Sequence, residues 1–521
     1  MAQMGDGSGR APVTITKPTT SVISGPAVTQ KLVDASIAFG NIIKGTFGPS
    51  GLDKMMYKTD GNTAVTNDSA KIIAELLVKH PAAKAFVSLA KNQENSCGDG
   101  VTACIIFASE LMREAGRLLE RKIHPLRIIE GYQQAMITVR AVVDERKEPL
   151  MGRTEEVSRT AMIGRSTESA LSHLATIISD AVSMLPEPDY EKIRMIKDGC
   201  GTASDTSIFR GLIIEKRTTL DRMAKTFENV KTITLTCPLE LEKPSRDSEI
   251  ELTSASQLLA FTEQEERLME EKATRIINSG AGAIFSAESI DKRITHLLVD
   301  AGLLVVADLE KSGIEDIAET LNSTLIDHID DISPQIMGDL DSAKWLRSED
   351  AEGYRERLYL DGGENSGLIT LVVGGVDGIS TEETIRGLFD ALRSTCEAID
   401  SGQVLVGGGS LHIAASLAIR EAAETKSGRE RLGMEAFSRA LEAIPATLAE
   451  NIGSDRLDTL LELRSLHRAG NKNSGVGKEG MPDRIEDAII PATTILHSLE
   501  AACETTCGLI RVDQVISARG D

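Results

Sequence analysis

Residues 98–102, Gly-Asp-Gly-Val-Thr, set a carboxylate between two glycines where one helical pattern ends and another begins. Glycines let backbone N–H groups turn toward a ligand, and the partial positive charge of a helix N-terminus favours a bound phosphate. Asp99 would repel that phosphate unless a cation lay between them, so the pattern indicates a Mg²⁺–phosphate site. A glycine-rich turn between helices, with Asp99 as an N-cap, explains the same residues, and both interpretations stay open here.

Residues 46–51, Thr-Phe-Gly-Pro-Ser-Gly, form a second stretch of this kind, because the backbone of a glycine-proline loop can line a phosphate. After it, strands at 54–59 and 62–66 flank Asp60-Gly61, a strong two-residue hairpin signal. The hairpin delivers Asp68 to a fixed point beside the loop. A polar turn explains Asp68 equally well from the local pattern.

A third stretch, Gly407-Gly408-Gly409, precedes a predicted helix, and Asp390 lies on the predicted helix 381–400 just before it. The chain contains neither the GxxxxGK[ST] pattern nor a GxGxxG pattern that follows a strand. These stretches are therefore not an ordinary P-loop or Rossmann site.

The elements that must position these residues change character along the chain. Helical periodicity dominates residues 20–145, alternating strands and helices fill 211–370, and helical periodicity returns in 411–506. This order predicts one helical domain with an α/β part inserted into it. The segment 509–516 alternates like a strand, and we expect it to pair with the hairpin at 54–66, within or between subunits.

A long charged helix is predicted at 253–279, with Leu258, Leu259 and Phe261 near its start. A solvated helix face explains its charges, whereas apolar residues at the leading end of a charged helix also suit a contact tip. The sequence supports both interpretations equally.

Composition excludes several classes of function. The 521 residues allow about three domains, and the formal net charge of −22 argues against a nucleic-acid or acidic-membrane binder. No apolar run could span a bilayer, and residues 1–12 have no signal-peptide pattern. The seven cysteines form no CxxC pair, which favours reduced thiols in a cytoplasm, and the scattered histidines give no support for a zinc hydrolase.

Taken in order, these stretches resemble the group II chaperonins, the thermosome and its eukaryotic cytosolic relatives. The resemblance covers nearly the whole chain and is carried by these segments: GTFGPSGLDKMM (45–56), VTNDSAKII (65–73), HPAAK (80–84), GDGVTA (98–103), KIHPLRIIEGY (122–132), QLLAFTEQEE (257–266), FDALR (389–393), GGG (407–409), AENIGSDRLDTLLELR (449–464) and IRVDQVISAR (510–519).

The resemblance implies a multidomain α and α/β chaperonin fold. A helical, discontinuous equatorial domain would comprise residues 1–145 and 401–521, and a small α/β intermediate domain would comprise 146–212 and 363–400. An α/β apical domain, 213–362, would carry a helical protrusion at about 250–280 as a built-in lid, with Leu258, Leu259 and Phe261 as contacts for substrate or lid.

The resemblance also implies an ATP-dependent molecular chaperone that encloses non-native proteins in a cytoplasmic double ring of identical or different subunits, eight per ring. Neither nucleic acid nor membrane would be a partner. Asp99 would hold Mg²⁺, while Asp390 and Asp68 would be catalytic and act on the attacking water. The implied nucleotide-binding residues are Thr46, Phe47, Gly48, Pro49, Asp99, Gly100, Val101, Thr102, Arg165, Gly408, Gly409 and Gly475.

Four positions depart from the family pattern. Ser50 stands where a basic residue is usual, Val101 where threonine is usual, and Ile490 where an acidic residue commonly contacts ribose. Arg165 replaces a lysine that senses the terminal phosphate, and its wider fork changes the geometry. Because a lost hydrogen bond to a charged group costs on the order of 1.5–3 kcal/mol, these departures predict a weakened ATPase.

Two other classes of function were weighed. A ring component or holdase without useful ATP turnover, working in a mixed ring, fits the departures. A metabolic enzyme is disfavoured, because residues 213–362 contain no nucleophile–base pair and no cofactor fingerprint.

Overall fold

Prolines and N-cap side chains set the start of several helices. In the computed structural model, three helices begin with proline in the first turn, at Pro26, Pro81 and Pro125, where the missing N–H has no intrahelical partner to lose. His80 and His124 cap the second and third of these, since their side chains accept from the N–H groups of residues 82 and 126. The structure describes residues 21–57, 63–76, 78, 80–164, 170–240, 255–350, 353–363, 366–376 and 378–517.

The described residues form runs of helices near both ends of the chain and mainly strands with fewer helices between them. The helices are α1 (Pro26–Lys44), α2 (Ser69–Glu75), α3 (Pro81–Cys97), α4 (Val101–Glu120), α5 (Pro125–Arg146), α6 (Thr154–Met162), α7 (Leu171–Met184), α8 (Ala255–Asn278), α9 (Lys292–Asp300), α10 (Lys311–Thr320), α11 (Ile379–Ser401), α12 (Ser410–Glu424), α13 (Glu430–Leu441), α14 (Ala443–Ile452), α15 (Arg456–Arg468) and α16 (Ala492–Ile510). The strands are β1 (Ser21–Ser24), β2 (Lys54–Tyr57), β3 (Thr63–Thr66), β4 (Glu148–Pro149), β5 (Ile193–Lys197), β6 (Ser207–Arg210), β7 (Leu212–Glu215), β8 (Thr226–Leu235), β9 (Ala283–Ser286), β10 (Leu304–Val306), β11 (Leu325–Ile326), β12 (Gly338–Asp350), β13 (Gly353–Asp361), β14 (Ile369–Val373), β15 (Gln403–Val406), β16 (Ser474–Val476), β17 (Pro482–Arg484), β18 (Ile489–Pro491) and β19 (Gln514–Ser517).

The chain divides into two compact units. Unit 1 comprises Met1–Ser179 and Glu382–Asp521, and unit 2 comprises Asp180–Thr381. Unit 1 is therefore discontinuous in sequence. The α/β pattern at 211–370 lies in unit 2.

Helix α4 lies at the centre of the unit 1 core. Its residues 104–108 are fully buried one after another, because α1, α3, α13 and α16 all pack against this helix. Aromatic rings fill the space around it, with Phe437 edge-on to Phe107 at 5.2 Å and to Tyr132 at 5.6 Å between centroids. The helix that begins at the Gly98–Thr102 segment is thus fixed by the core along its length.

Unit 2 contains two sheets. The larger has seven strands in the order β10-β9-β8-β12-β13-β7, with β11 added beside β8. Its β8, β9 and β10 run parallel, whereas β12, β13 and β7 are antiparallel. The smaller sheet has the order β5-β14-β6. The charged helix predicted at 253–279 is α8, whose Met269, Ala273 and Ile276 are buried against the larger sheet's core.

The pairing predicted for the C-terminal strand within the chain is wrong. Helix α16 continues to Ile510, and β19 pairs antiparallel with β1, from Ser21 opposite Ser517 to Ser24 opposite Gln514. The hairpin β2–β3 forms a separate two-stranded sheet, and its predicted Asp60-Gly61 turn lies outside the described residues. The local pattern did not reveal β1, because Val22 and Ile23 are too few apolar residues to predict a strand.

The described cysteines are all free thiols. Among the described residues, none of the helices is both long and apolar enough to cross a membrane.

Candidate functional site

A cavity of about 760 Å³ in unit 1 gathers most of the predicted site residues, and its volume is typical of small-molecule sites. They come from the loop after α1, the start of α2, the turn between α3 and α4, helix α11 and the glycines before α12. The predicted residues that line the cavity are Thr46, Phe47, Gly48, Pro49, Asp68, Asp99, Gly100, Val101, Thr102, Asp390, Gly408 and Gly409.

The glycine-proline loop is held in place by a side chain of α14. The side-chain amide of Asn451 donates to the carbonyl oxygens of Lys44 (2.8 Å) and Phe47 (2.7 Å), which fixes the loop on α14. Gly48 has φ +87°, and a Cβ there would lie 2.4 Å from a methyl of Leu448. Only glycine fits without strain, so the loop backbone itself forms this wall of the cavity.

Three hydroxyls form a directed chain beside the loop. Thr102 Oγ1 donates to Ser69 Oγ at 2.8 Å, Ser69 Oγ lies 3.3 Å from Thr46 Oγ1, and Thr46 donates to the carbonyl oxygen of Ile43 at 2.8 Å. Because Thr46 donates its hydroxyl hydrogen to the Ile43 carbonyl, we infer that Ser69 is the donor to Thr46. Ser69 is a cavity residue that the sequence analysis did not identify, although it directly follows Asp68.

The two N-terminal aspartates have different local roles. Asp68 is the N-cap of α2 and accepts from the N–H of Ala70 at 2.9 Å. Asp99 is not the N-cap of α4, because Gly100 takes that position. Instead, Asp99 Oδ1 accepts from the Gly100 N–H at 2.6 Å, and its carbonyl oxygen accepts from Gln93 Nε2 at 2.8 Å. The turn between two helices is therefore confirmed, but the N-cap role that this interpretation gave to Asp99 is wrong.

Helix α11 places Asp390 at the cavity. One turn after it, Arg393 Nη2 donates to the carbonyl oxygen of Asn95 at 2.9 Å, close to the α3–α4 turn. One turn before it, Arg386 donates to Thr66 Oγ1 at 3.4 Å. These contacts on both sides fix the half-buried Asp390 against the parts of the chain that carry Asp68 and Asp99.

Two helices begin at the cavity with glycine N-caps. Gly100 (φ +82°) precedes α4 and Gly409 (φ +77°) precedes α12, and neither can cap its helix with a side chain. The first N–H groups and the positive ends of two helix dipoles therefore face one space, and this arrangement fits a phosphate-bearing ligand. At Gly100 a Cβ would lie 3.2 Å from both Gln93 and Thr494.

The carboxylates suit Mg²⁺ that arrives with a phosphate. Among the described residues, no group of three or more His, Cys, Asp and Glu side chains could hold a metal by itself. Mg²⁺ usually keeps several waters and binds one or two carboxylates together with phosphate oxygens. Asp99, beside the α4 N-terminus, provides such a carboxylate.

Some predicted residues lie outside the cavity. Gly475 is not in the lining but packs behind it, where its Cβ would lie 2.8 Å from the Gly408 carbonyl oxygen. Arg165 and the side chain of Leu258 lie outside the described residues. Leu259 and Phe261 are exposed on α8 in unit 2, with exposed fractions of 65% and 38%.

Among the positions that depart from the group II chaperonin pattern, Val101 and Ile490 line the cavity. Ser50 is exposed and does not line it.

His412 is a cavity residue that the sequence analysis missed. It lies in the first turn of α12 and is buried, and its Nδ1 has no hydrogen-bond partner among the described residues. Burial lowers the pKa of His412 to about 4, so the imidazole is neutral near pH 7. Its position three residues after Gly409 was the only available sequence signal.

Comparisons with known proteins show the family of the chain. The model of the TCP-1/cpn60 chaperonin family matches residues 39–520. The beta subunit of the Archaeoglobus fulgidus thermosome is 33% identical, with 98% of this chain and 95% of the relative covered. The Methanopyrus kandleri thermosome subunit is also 33% identical, with 92% and 89% covered.

The chain therefore belongs to the TCP-1/cpn60 chaperonin family, whose members are ATP-dependent protein-folding chaperones. Within that family it is a group II chaperonin subunit, at 32–33% identity to thermosome subunits over nearly its full length.

Proposed function

We propose that this chain is an ATP-hydrolysing subunit of a chaperonin ring. The observation that carries the proposal is one cavity lined by Asp68, Asp99 and Asp390 and by two helix N-termini capped with glycine. A triphosphate needs positive charge and N–H donors, and its hydrolysis needs carboxylates placed around water and Mg²⁺.

The nucleotide would lie between the two glycine-capped helices. The backbone of the loop that contains Thr46, Gly48 and Pro49, together with Gly100 and Thr102, would hold the phosphates. Gly408 and Gly409 would approach the nucleoside. Asp99 would hold Mg²⁺, which neutralises phosphate charge when it is bound. Gly475 would support Gly408 from behind rather than touch the nucleotide.

Asp390 and Asp68 would act on the attacking water. As the water oxygen bonds to the terminal phosphorus, the bond from that phosphorus to the bridging oxygen breaks and ADP leaves. A carboxylate that accepts the proton of this water typically contributes about 10²–10⁴ in rate. In the proposed layout Asp390 belongs to an intermediate segment, 363–400, so that hinge closure would bring the base to the nucleotide.

The proposed domains have separate sheets. The strands β5, β6 and β14 come from 146–212 and 363–400 and form one three-stranded sheet, which supports an intermediate domain built from those two segments. The seven-stranded sheet, made only of residues 212–361, supports an apical domain. Equatorial residues 1–145 and 401–521 supply most of the cavity lining, and the proposed intermediate segments add Asp390 and residues 159–161, 163 and 164. The exposed Leu259 and Phe261 on α8 support contacts with non-native proteins or a lid.

Ring assembly is supported by open sheet edges in unit 1. In the described ranges of the chain, the sheets β1–β19 and β2–β3 have two strands each. Met55 and Tyr57 on β2 are exposed by 75% and 82%. We propose that these edges pair with other subunits in a cytoplasmic double ring of identical or different subunits.

Phosphate release by the purified protein, measured with and without Mg²⁺, tests the proposal. We expect Asp390→Ala to bind ATP but to hydrolyse it at least about 10²-fold more slowly. Asp400→Asn, an exposed change on the same helix, is the matched control and should retain full turnover. Normal turnover of Asp390→Ala would refute the catalytic assignment.

A ring component or holdase with weak ATPase is the second candidate. Val101 and Ile490 favour it, because they place apolar side chains in the cavity where the family commonly has polar ones. Absence of phosphate release from the unaltered protein, together with capture of an unfolded protein, would support this candidate.

A further inference from the structure

A second cavity of about 640 Å³ lies in unit 1 between α4, α12, α13 and α15, and almost every residue that lines it is charged. It shares no lining residue with the first cavity. Seven arginines and five glutamates line it, an excess of two positive charges in a chain of net charge −22. They are Arg113, Arg117, Arg420, Arg431, Arg439, Arg456, Arg464, Glu110, Glu114, Glu424, Glu435 and Glu442.

Three buried carboxylates hold most of these arginines in place. Glu110, Glu114 and Glu442 are each about 95% buried, and each forms ion pairs with two basic side chains. The pairs are Glu110 with Lys44 and Arg113, Glu114 with Arg117 and Arg439, and Glu442 with Arg420 and Arg464. The guanidinium groups are therefore fixed before any ligand binds, which lowers the entropy cost of binding.

Arg420 has a donor without an acceptor in the part of the chain that the structure describes. Its Nη2 donates to Glu442 at 2.8 Å, but its buried Nε has no hydrogen-bond partner among those residues. Burial lowers the pKa of Arg420, and the nearby charges of Arg464, Arg439 and Arg468 lower it further, although Glu442 acts in the opposite direction. The potential at this point is positive, and an anionic oxygen would satisfy the Nε–H.

We propose that this cavity binds a compact polyanion of the polyphosphate class. Arginine forks bind phosphate oxygens through paired hydrogen bonds. Because the arginines lie on four helices around the cavity, a ligand with several phosphate groups reaches opposite walls at once, whereas a single carboxylate reaches one wall. The site requires no Mg²⁺ and is independent of the proposed ATPase.

Calorimetric titration of the assembled full-length protein with sodium tripolyphosphate, in EDTA, tests the site. We expect one site per chain, with an affinity that falls as salt rises. Arg431→Gln and Arg456→Gln are the informative variants, since neither arginine pairs with a buried carboxylate. Each should weaken binding about tenfold, the loss of one charged hydrogen bond. Arg127→Gln removes an exposed ion pair with Glu130 outside the cavity and should change nothing.

The proposal is overturned if tripolyphosphate does not bind, or if it binds equally well to the Arg431 and Arg456 variants, which would locate it elsewhere. It is also overturned if those variants change the particle size in light scattering without changing the tripolyphosphate affinity, because the cavity would then be a contact between copies. Binding of a fluorescent ATP analogue with Mg²⁺ should be the same in all of these variants.

Discussion

The two cavities described in unit 1 differ in the chemical groups that they present to an anion. The first is formed by backbone N–H groups, glycine-capped helix ends and carboxylates. The second is formed by guanidinium groups that buried glutamates hold in place. A phosphate in the first cavity meets Asp99 and needs a cation beside it, whereas a phosphate in the second meets positive charge directly.

In the two proposals made above, unit 1 separates reaction from binding. Carboxylates that need Mg²⁺ are useful where water must be oriented and charge must change during a reaction. Fixed arginines suit a ligand that is held and not transformed. Changes in the first cavity should therefore alter metal dependence and rate, and changes in the second should alter affinity alone.

Asp99→Asn should have the largest effect. The amide oxygen can still accept from the Gly100 N–H, but the charge that would hold Mg²⁺ is lost. We expect Mg²⁺-dependent phosphate release to fall by at least about 10²–10³-fold. Asp53→Asn, an exposed change outside the cavity, is the control. Tripolyphosphate binding to the second cavity should not change. If the variant retains Mg²⁺-dependent turnover, the first cavity does not depend on a carboxylate-held cation and the contrast between the two cavities is lost.

Gly48→Ala tests whether the first cavity depends on its backbone. A side chain at φ +87° is strained by about 1–2 kcal/mol, and contact with Leu448 adds about 1 kcal/mol of overpacking. Gly152→Ala is a matched control, since Gly152 has φ +77° and no neighbour within 4 Å of a Cβ. The Gly48 variant should have the lower thermal unfolding midpoint and weaker nucleotide binding. Equal midpoints would show that Leu448 moves aside.

Periodicity predicted the helices better than any other part of the fold. Helices expected at 253–279 and 381–400 are observed at Ala255–Asn278 and Ile379–Ser401, because a repeating apolar face specifies a helix locally. The partner of β19 could not be found this way. Strand pairing joins residues almost 500 positions apart, and nothing in the local pattern of 514–517 selects β1.

The site was predictable where its residues form a recognisable stretch. Asp99 and Gly100 are conspicuous in sequence, and their neighbours in the cavity were expected from the resemblance. Asn451 and His412 were not, since Asn451 acts only after the fold brings it to a loop about 400 residues away and the burial of His412 in the cavity has no local pattern. The arginines of the second cavity are scattered over more than 350 residues and show no motif.

His412 gives the first cavity a dependence on pH that arginines cannot give the second. Its pKa of about 4 in the folded protein is below its ordinary value of about 6.5, so the unfolded chain binds the proton more tightly. The resulting stability is present above pH 6.5 and is lost as the pH falls toward 4. Between pH 7 and pH 5 the loss is about 2 kcal/mol.

The unfolding midpoint at pH 7 and pH 5 measures this effect. His412→Gln should lose less stability on acidification than the unaltered protein, although burial also lowers the pKa of His467, so a smaller dependence remains. Equal loss in both proteins would contradict the assignment to His412.

Val101→Thr should have the smallest effect. It tests the contrast between the two cavities by adding a hydrogen-bond donor to the first cavity instead of removing a group from it. Val101 is the first residue of α4 and lines the first cavity, and threonine has almost the same shape with one added hydroxyl. A new hydrogen bond to a phosphate would stabilise binding by about 1.5 kcal/mol, which is roughly tenfold in affinity. Titration with a fluorescent ATP analogue measures it, with the exposed Val376→Thr as control. Unchanged affinity for the ATP analogue would mean that its phosphates do not reach the α4 N-terminus. Tripolyphosphate binding, which we assign to the second cavity, should be the same in both variants.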